Sequence, residues 1–378
     1  MDFELTEDQN MLAKTVASFA KQSSPLARFR AMRDDERGWE PSVWRQMGEL
    51  GWLGVPFPES LGGFGGSFVD VSLVLEKLGT TLVPEPYVSS VVLAGMAVLH
   101  AGDAEQQKRF LEPVIEGRET LALAYAERHA RYDVADVRTK AETDGGGYRL
   151  TGEKVWVLDG HSADRLIVSA DLGGELALFC VDRGAEGLRV DPVKLIDGRN
   201  GAMLRLDGVR VAADRLLRAA DGAEVLARVM DGAAVAACAE GLGIAQTMLD
   251  MTVQYLEERE QFGVKIGTFQ VLQHRAVEMF VHVEVLRSLL IEASVRAGSD
   301  DGEARAAVSA AKVQLATGGK YVSQQSIQLH GGIGITDEHD IGLYFKRMEA
   351  LNRLFGDEDF HVRRYASLPS SVTGMAVR

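Results

Sequence analysis

The chain has 378 residues, enough for two or three domains at about 150 residues each. With 46% apolar and 25% charged residues it has ordinary globular composition, which excludes a disordered, collagenous or disulfide-built protein. Its 41 Lys and Arg against 55 Asp and Glu leave a net charge of −14, so a nucleic-acid partner is not expected, although a local basic pocket for a phosphorylated small molecule is compatible with it.

The first third reads as helices. Thr6 to Gln9 is a capping-box start, and Met11, Leu12, Val16, Phe19 and Ala20 follow it as a helical stripe. Pro41 can open a second helix carrying Val43, Trp44, Met47 and Leu50. The stretch from Pro58 to Ser67, with one Pro and four Gly, reads as loop. Helical patterns resume over about Val69–Leu78, Pro86–Ala101 and Ala104–Glu116.

Near Thr120 the apolar period drops to two. Strand-like runs cover Leu121–Tyr125, Val137–Thr143, Tyr148–Leu150, Lys154–Leu158, Leu166–Ala170, Leu176–Val181 and Leu188–Val190. Asp144 to Gly147 is a tight hairpin signal, and Asp159-Gly160, Gly173-Gly174 and Asp207-Gly208 read as separators. From Gly222 the helical period returns in long runs to about Glu258, from Gln270 to Ala297 and from Glu303 to His330. Shorter runs lie near Ile341–Leu354 and Asp357–Leu368. The expected fold is α+β, mainly α: an N-terminal helical domain (1–118), a central antiparallel β barrel or sandwich (119–218) and a C-terminal four-helix bundle (219–378).

Cys180 and Cys238 both sit in apolar stretches and read as buried thiols of a reducing compartment. The first residues lack the basic and apolar regions of a signal peptide, and the longest apolar stretch is too short to cross a bilayer. A cytoplasmic protein without membrane insertion is expected. GxGxxG after a strand, GxxxxGK[ST], HExxH and GxSxG are all absent, and the eight His show no metal spacing, so no metal site is expected.

Two segments stand out. Arg259-Glu-Gln-Phe-Gly263, followed by Ile266 to Gln270, reads most simply as a helix end with Gly263 as its cap. Gln328-Leu-His-Gly-Gly-Ile-Gly334 reads as a helix stop and turn. Standing about 70 residues apart in a helical bundle behind a β domain, they resemble the two C-terminal signatures of the acyl-CoA dehydrogenase family. Pro58-Glu-Ser-Leu-Gly-Gly is similar to that family's N-terminal loop motif, and Tyr148-x-Leu-x-Gly-x-Lys-x-Trp156 to its β-domain signature.

The resemblance spans essentially the whole chain. It implies FAD bound between subunits, an acyl-CoA substrate dehydrogenated at its α,β bond, and an electron-transfer flavoprotein as acceptor. It implies that Arg259, Phe262, Gln270, Gln328, Gly331 and Gly332 serve the flavin seated mainly on a neighbouring subunit, with Trp156 beside the flavin of its own subunit. Arg259 offers a planar fork for pyrophosphate, and the two glycines let backbone come close.

The positions that serve the flavin of the same subunit depart from the family. Thr-Glu-Pro-x-x-Gly-Ser-Asp stands here as Ala126 to Asp133, so a Thr is Ala126 and the Ser is Tyr132. The Thr after the Trp is Leu158. Glu-Gly-Thr-x-Gln stands as Phe355-Gly-Asp-Glu-Asp359, so the usual base is Phe355 and two flavin-contacting residues are Asp357 and Asp359. The family's second base position aligns with Ala233, and its Arg with Ala234.

A subunit that lends half a flavin site to a base-bearing paralogue in a heterotetramer is the reading this sorting of losses favours. The segments around Ala126–Val137 and Leu354–Asp357 are similar to the small subunit of two-subunit, pimeloyl-CoA-type dehydrogenases. A self-sufficient enzyme using Asp357 or Asp231 as base, and a relative with flavin oxidase or monooxygenase chemistry, are the alternatives. Asp357 before an amphipathic helix also reads as an N-cap.

Overall fold

The computed structural model describes residues 4–218, 221–298 and 302–369. Helix α1 (Glu7–Gln22) opens on the expected capping box: Thr6 Oγ1 accepts from the Gln9 amide at 3.2 Å, and Gln9 Oε1 accepts from the Thr6 amide at 3.1 Å. Helix α2 (Leu26–Asp34), polar on most sides, is an addition to the expected elements. Helix α3 (Pro41–Glu49) begins at Pro41, where a missing N–H costs nothing. The Pro/Gly stretch is loop apart from one 3₁₀ turn at Glu59–Leu61. Helix α4 (Phe68–Gly79) has a second capping box, between Ser67 and Asp70. A π-helix at Val88–Gly95 runs into α5 (Met96–Ala101), and α6 (Ala104–Ile115) follows.

The β region comprises β1 (Leu121–Ala124), β2 (Lys140–Asp144), β3 (Gly147–Leu158), β4 (Arg165–Leu172), β5 (Glu175–Asp182), β6 (Leu188–Lys194), β7 (Asn200–Ala212) and β8 (Leu216–Leu217). The order is β6-β7-β3-β2-β4-β5-β8, with β1 beside β4. The sheet is antiparallel except that β1 runs parallel to β4 and Lys140 of β2 pairs in parallel with Asp171. Leu150, Val157, Leu166, Val168, Phe179 and Leu206 are buried together in its core.

Asp207-Gly208 does not separate strands; it lies inside β7. Leu206 pairs with Gly152 and Val209 with Leu150, so β7 carries one extra residue there, and Gly208 at φ 67° makes the bulge. The bulge switches the inward parity from Leu204 and Leu206 to Val209 and Val211, which hides one strand as two short pieces. Likewise the two runs Tyr148–Leu150 and Lys154–Leu158 are one strand, β3.

The C-terminal helices are α7 (Gly222–Glu258), α8 (Gln270–Arg296), α9 (Gly302–Gln314), α10 (Lys320–His330), α11 (Ile341–Leu351) and α12 (Glu358–Ser367). A π-helical turn at Leu315–Gly319 joins α9 to α10, so the expected run to His330 is continuous. Between α7 and α8 lie β9 (Glu260–Gln261) and β10 (Val264–Lys265), paired antiparallel.

Two compact units emerge, one of residues 1–31, 67–83 and 234–378, the other of residues 32–66 and 84–233. In the first, α4 and α7 cross at glycines. A Cβ on Gly243 would collide with the Glu76 carbonyl, and one on Gly79 would stand 2.6 Å from that of Glu240. The buried Glu240 carboxylate accepts from Arg347 at 2.5 Å, and Arg347 lies over the Phe29 ring at 5.5 Å. In the second, Lys154 is fully buried and donates to Glu127 at 2.7 Å and to Ser169 at 2.8 Å.

Candidate functional site

Arg259 to Lys265 does not end α7 in a glycine cap. It forms a β-hairpin whose two turn residues, Phe262 at φ 56° and Gly263 at φ 78°, are both left-handed, the requirement of a tight primed turn. The Ile266 amide closes it onto the Arg259 carbonyl at 2.8 Å. Phe262 is held at the tip, 91% exposed, in a conformation that is strained for a bulky residue. The Arg259 side chain is exposed, with no partner among the described residues.

The second signature comes to the same end of the bundle. The Arg259 amide donates to the Tyr255 carbonyl, and the Tyr255 ring stacks on His330 at 4.6 Å, one residue before Gly331. Helix α8 runs antiparallel to α10, with Arg275 donating to Gln325 at 3.4 Å, so Gln270 at the start of α8 and Gln328 near the end of α10 share that end. Gln270, Gln328, Gly331 and Gly332 are all exposed. Gly331 has φ 65° and ψ −142°, a region open essentially to glycine alone. Gly332 has no such demand, and a Cβ there would meet nothing within 4 Å among the described residues.

In the sheet unit, Trp156 sits at a second bulge. Lys154 pairs with Leu204 and Val157 with Ala202, so β3 has one extra residue, and Trp156 takes φ 54° with 55% of its surface exposed. A bulge re-aims a side chain out of the ladder. Leu158, two residues on, is buried. Glu127 ties both ends of the loop after β1. Its Oε1 accepts from the Thr139 amide and hydroxyl and from Lys154, and its Oε2 accepts from the Arg138 amide at 2.9 Å. Burial raises the Glu127 pKa, but these donors together hold it below the ordinary value, so Glu127 has a structural role.

The turn from Leu351 to Asp357 carries the expected base position. Phe355 is buried, at φ 60°. Two buried side chains fasten this turn: Lys312 donates to the Leu351 carbonyl at 2.7 Å, and His361 Nε2 donates to the Phe355 carbonyl at 3.0 Å. Burial pulls the Lys312 amine down to about 8 and the His361 imidazole down to about 3. Sequence reading missed both residues. The available signal was a lysine on the buried stripe Val308, Ala311, Leu315.

Asp357 is the N-cap of α12, accepting from the Phe360 amide at 2.9 Å, and Glu358 and Asp359 fill the first turn. Those carboxylates occupy the positive end of the helix, where a phosphate could otherwise sit. Ala233 and Ala234 are buried in α7, and Asp231 is half-buried.

Three family models match the chain: the acyl-CoA dehydrogenase N-terminal domain over residues 6–118, the middle domain over 122–209 and the C-terminal domain over 220–367. The chain belongs to the acyl-CoA dehydrogenase family. A probable acyl-CoA dehydrogenase, YngJ of Bacillus subtilis, is 30% identical over 353 residues, 90% of this chain and 92% of that one. The ChsE4-ChsE5 complex from Mycobacterium tuberculosis superposes with a TM-score of 0.89 at 29% identity, covering 98% of this chain and 100% of that one. A variant of the Tcur3481-Tcur3483 steroid ACAD gives 0.88 at 30%, covering 98% and 99%.

Acyl-CoA dehydrogenases are FAD-dependent oxidoreductases, and the two groups of candidate residues fit that cofactor unequally. At the bundle end, an unpaired guanidinium, an exposed aromatic ring and a glycine facing open space suit a nucleotide diphosphate. Around Phe355, the three carboxylates at the start of α12 do not suit one. Among the described residues, no helix is long and apolar enough to cross a membrane, and no metal-binding cluster occurs.

Proposed function

We propose that this chain is the flavin-lending subunit of a two-chain acyl-CoA dehydrogenase, whose paralogous partner carries the base. The contrast between the exposed Arg259, Phe262 and Gly332 and the buried Phe355 beside a capping Asp357 carries this reading. Phe355 cannot take the α-proton of an acyl-CoA, so a carboxylate of the partner removes it. When bound, FAD supplies the oxidant that takes the β-hydride. Arg259 would hold the pyrophosphate by two parallel N–H donors, Gln270 and Gln328 would donate to the nucleotide half, and Phe262 would cover an apolar face. Reduced enzyme would pass its electrons to an electron-transfer flavoprotein.

An apolar face on α8 supports a partner. Val277, Phe280, Val281, Ile291 and Val295 lie within one stripe, interrupted midway by Glu284 and Ser288, and are 39% to 60% exposed. Two of the similar solved proteins also bear two-part names, ChsE4-ChsE5 and Tcur3481-Tcur3483. The isolated chain, reconstituted with FAD and assayed on acyl-CoA thioesters with an artificial acceptor, is expected to be inactive. Turnover by the isolated chain that Asp357→Asn abolishes would replace this reading with a self-sufficient enzyme using Asp357.

A further inference from the structure

In the sheet unit, a cavity of about 1010 Å³ opens between the α2–α3 connection and the ends of β3, β5 and β6, lined among others by Arg37, Trp39, His161, Arg183, Lys194 and Asn200. The flavin positions discussed above take no part in its lining. Its volume lies at the upper end of small-molecule sites.

The lining cations form no ion pair among the described residues, although the Asp35 carboxyl is held below its usual range by the amides of Gly38 and Arg37 and then by the Arg37 and Lys194 charges. Arg37 and Arg183 form no ion pair among the described residues, and Lys194 Nζ donates to the main-chain carbonyls of Arg33 and Asp35. Elsewhere on the same sheet, arginines find acids: Arg165 and Arg215 meet Asp182, and Arg149 and Arg210 meet Asp144. Around this cavity three cations converge without an ion pair among the described residues, in a chain with 14 more acidic than basic residues. Asp35 also lines it, but its carboxylate is engaged by the amides of Arg37 at 2.8 Å and Gly38 at 2.9 Å.

Several other lining groups can accept hydrogen bonds, while Trp39 and Asn200 already donate to Ser162 and to the Glu36 carbonyl. His161 is 4% exposed and donates Nε2–H to the Arg37 carbonyl at 2.8 Å. A carbonyl only accepts, so this bond assigns the proton to Nε2 and leaves a lone pair on Nδ1, which has no partner among the described residues. Glu36 and Glu40 add carboxylates, and Met32, Pro41, Pro192 and Val193 add apolar surface.

Guanidinium and ammonium groups suit a tetrahedral oxyanion, while carboxylates and an imidazole lone pair suit hydroxyl or amino donors. We propose that this cavity binds a hydroxylated phosphate ester of mononucleotide size, either free or as the nucleotide end of a coenzyme.

Calorimetric titration of the full chain with AMP, adenosine and coenzyme A at low salt tests this. AMP is expected to bind saturably with one site at least tenfold more tightly than adenosine. Arg37→Glu and Arg183→Glu, both at exposed positions, should each weaken AMP at least about tenfold, the scale of a lost charged hydrogen bond. Arg259→Ala should leave AMP affinity unchanged, which separates this cavity from the flavin half-site. Coenzyme A binding more tightly than AMP and responding to the same substitutions would make a coenzyme the source. Equal affinity would make it a free nucleotide. Absence of saturable binding, equal binding of AMP and adenosine, or affinities unmoved by both reversals would overturn the proposal.

Discussion

Phe262 and Trp156 share a feature that their identities alone do not give: each is turned outward at a tight turn or bulge of the backbone. Phe262 and Trp156 hold left-handed conformations, as does Phe355 at the expected base position. Such strain of order 1–3 kcal/mol per residue persists where the surroundings over-determine it, and three of the six non-glycine residues that carry it among the described residues, the others being Leu82, Arg131 and Asp159, fall at positions that the family motifs single out. For Arg259→Ala, flavin absorbance per polypeptide in the complex with a base-bearing paralogue is expected to fall at least tenfold, since the pyrophosphate loses a charge-assisted fork. Thermal stability of the isolated variant should stay within about 0.5 kcal/mol of the parent, because the exposed guanidinium has no partner to lose among the described residues. Unchanged flavin retention would remove Arg259 from the site.

At the scale of elements, the turn between α11 and α12 is held by Lys312 and His361 through carbonyls at its two ends. His361 titrates near 6.5 when unfolded and is held to about 3 by burial, then by the Lys312 charge. Between those values the unfolded chain binds more protons, so its contribution is fully present above about pH 6.5 and is lost as pH falls towards 3. The slope is at most about 1.4 kcal/mol per pH unit. Urea unfolding at a series of pH values should show this loss, and His361→Gln should flatten it. An equally steep acid loss in that variant would place the titration elsewhere.

The long elements were legible because their apolar period is unbroken: α7 and α8 stand where the sequence put them, to within a residue. Strand β7 was not, because the Gly208 bulge reverses its inward parity halfway. The Arg259 hairpin was not legible either. Its turn is Phe-Gly rather than Asn-Gly, and the strain at Phe262 leaves no trace in composition. The candidate residues themselves were named from motifs, whereas Lys312 and His361, buried and silent in those motifs, emerged only from packing.

At the scale of the whole molecule, the chain presents surfaces it does not itself complete. The exposed stripe on α8, the hairpin tip and the glycine turn after α10 all lack intramolecular cover, while the base position is filled by a buried phenylalanine. A subunit built to complete another's cofactor site has these properties. The most direct measurement is the ratio of FAD to polypeptide, by native mass spectrometry, for this chain alone and after co-expression with a paralogue bearing glutamate at the position of Phe355. Essentially flavin-free protein alone, and one FAD per heterodimer in the complex, is the predicted result. One tightly held FAD per copy of the isolated chain would contradict it.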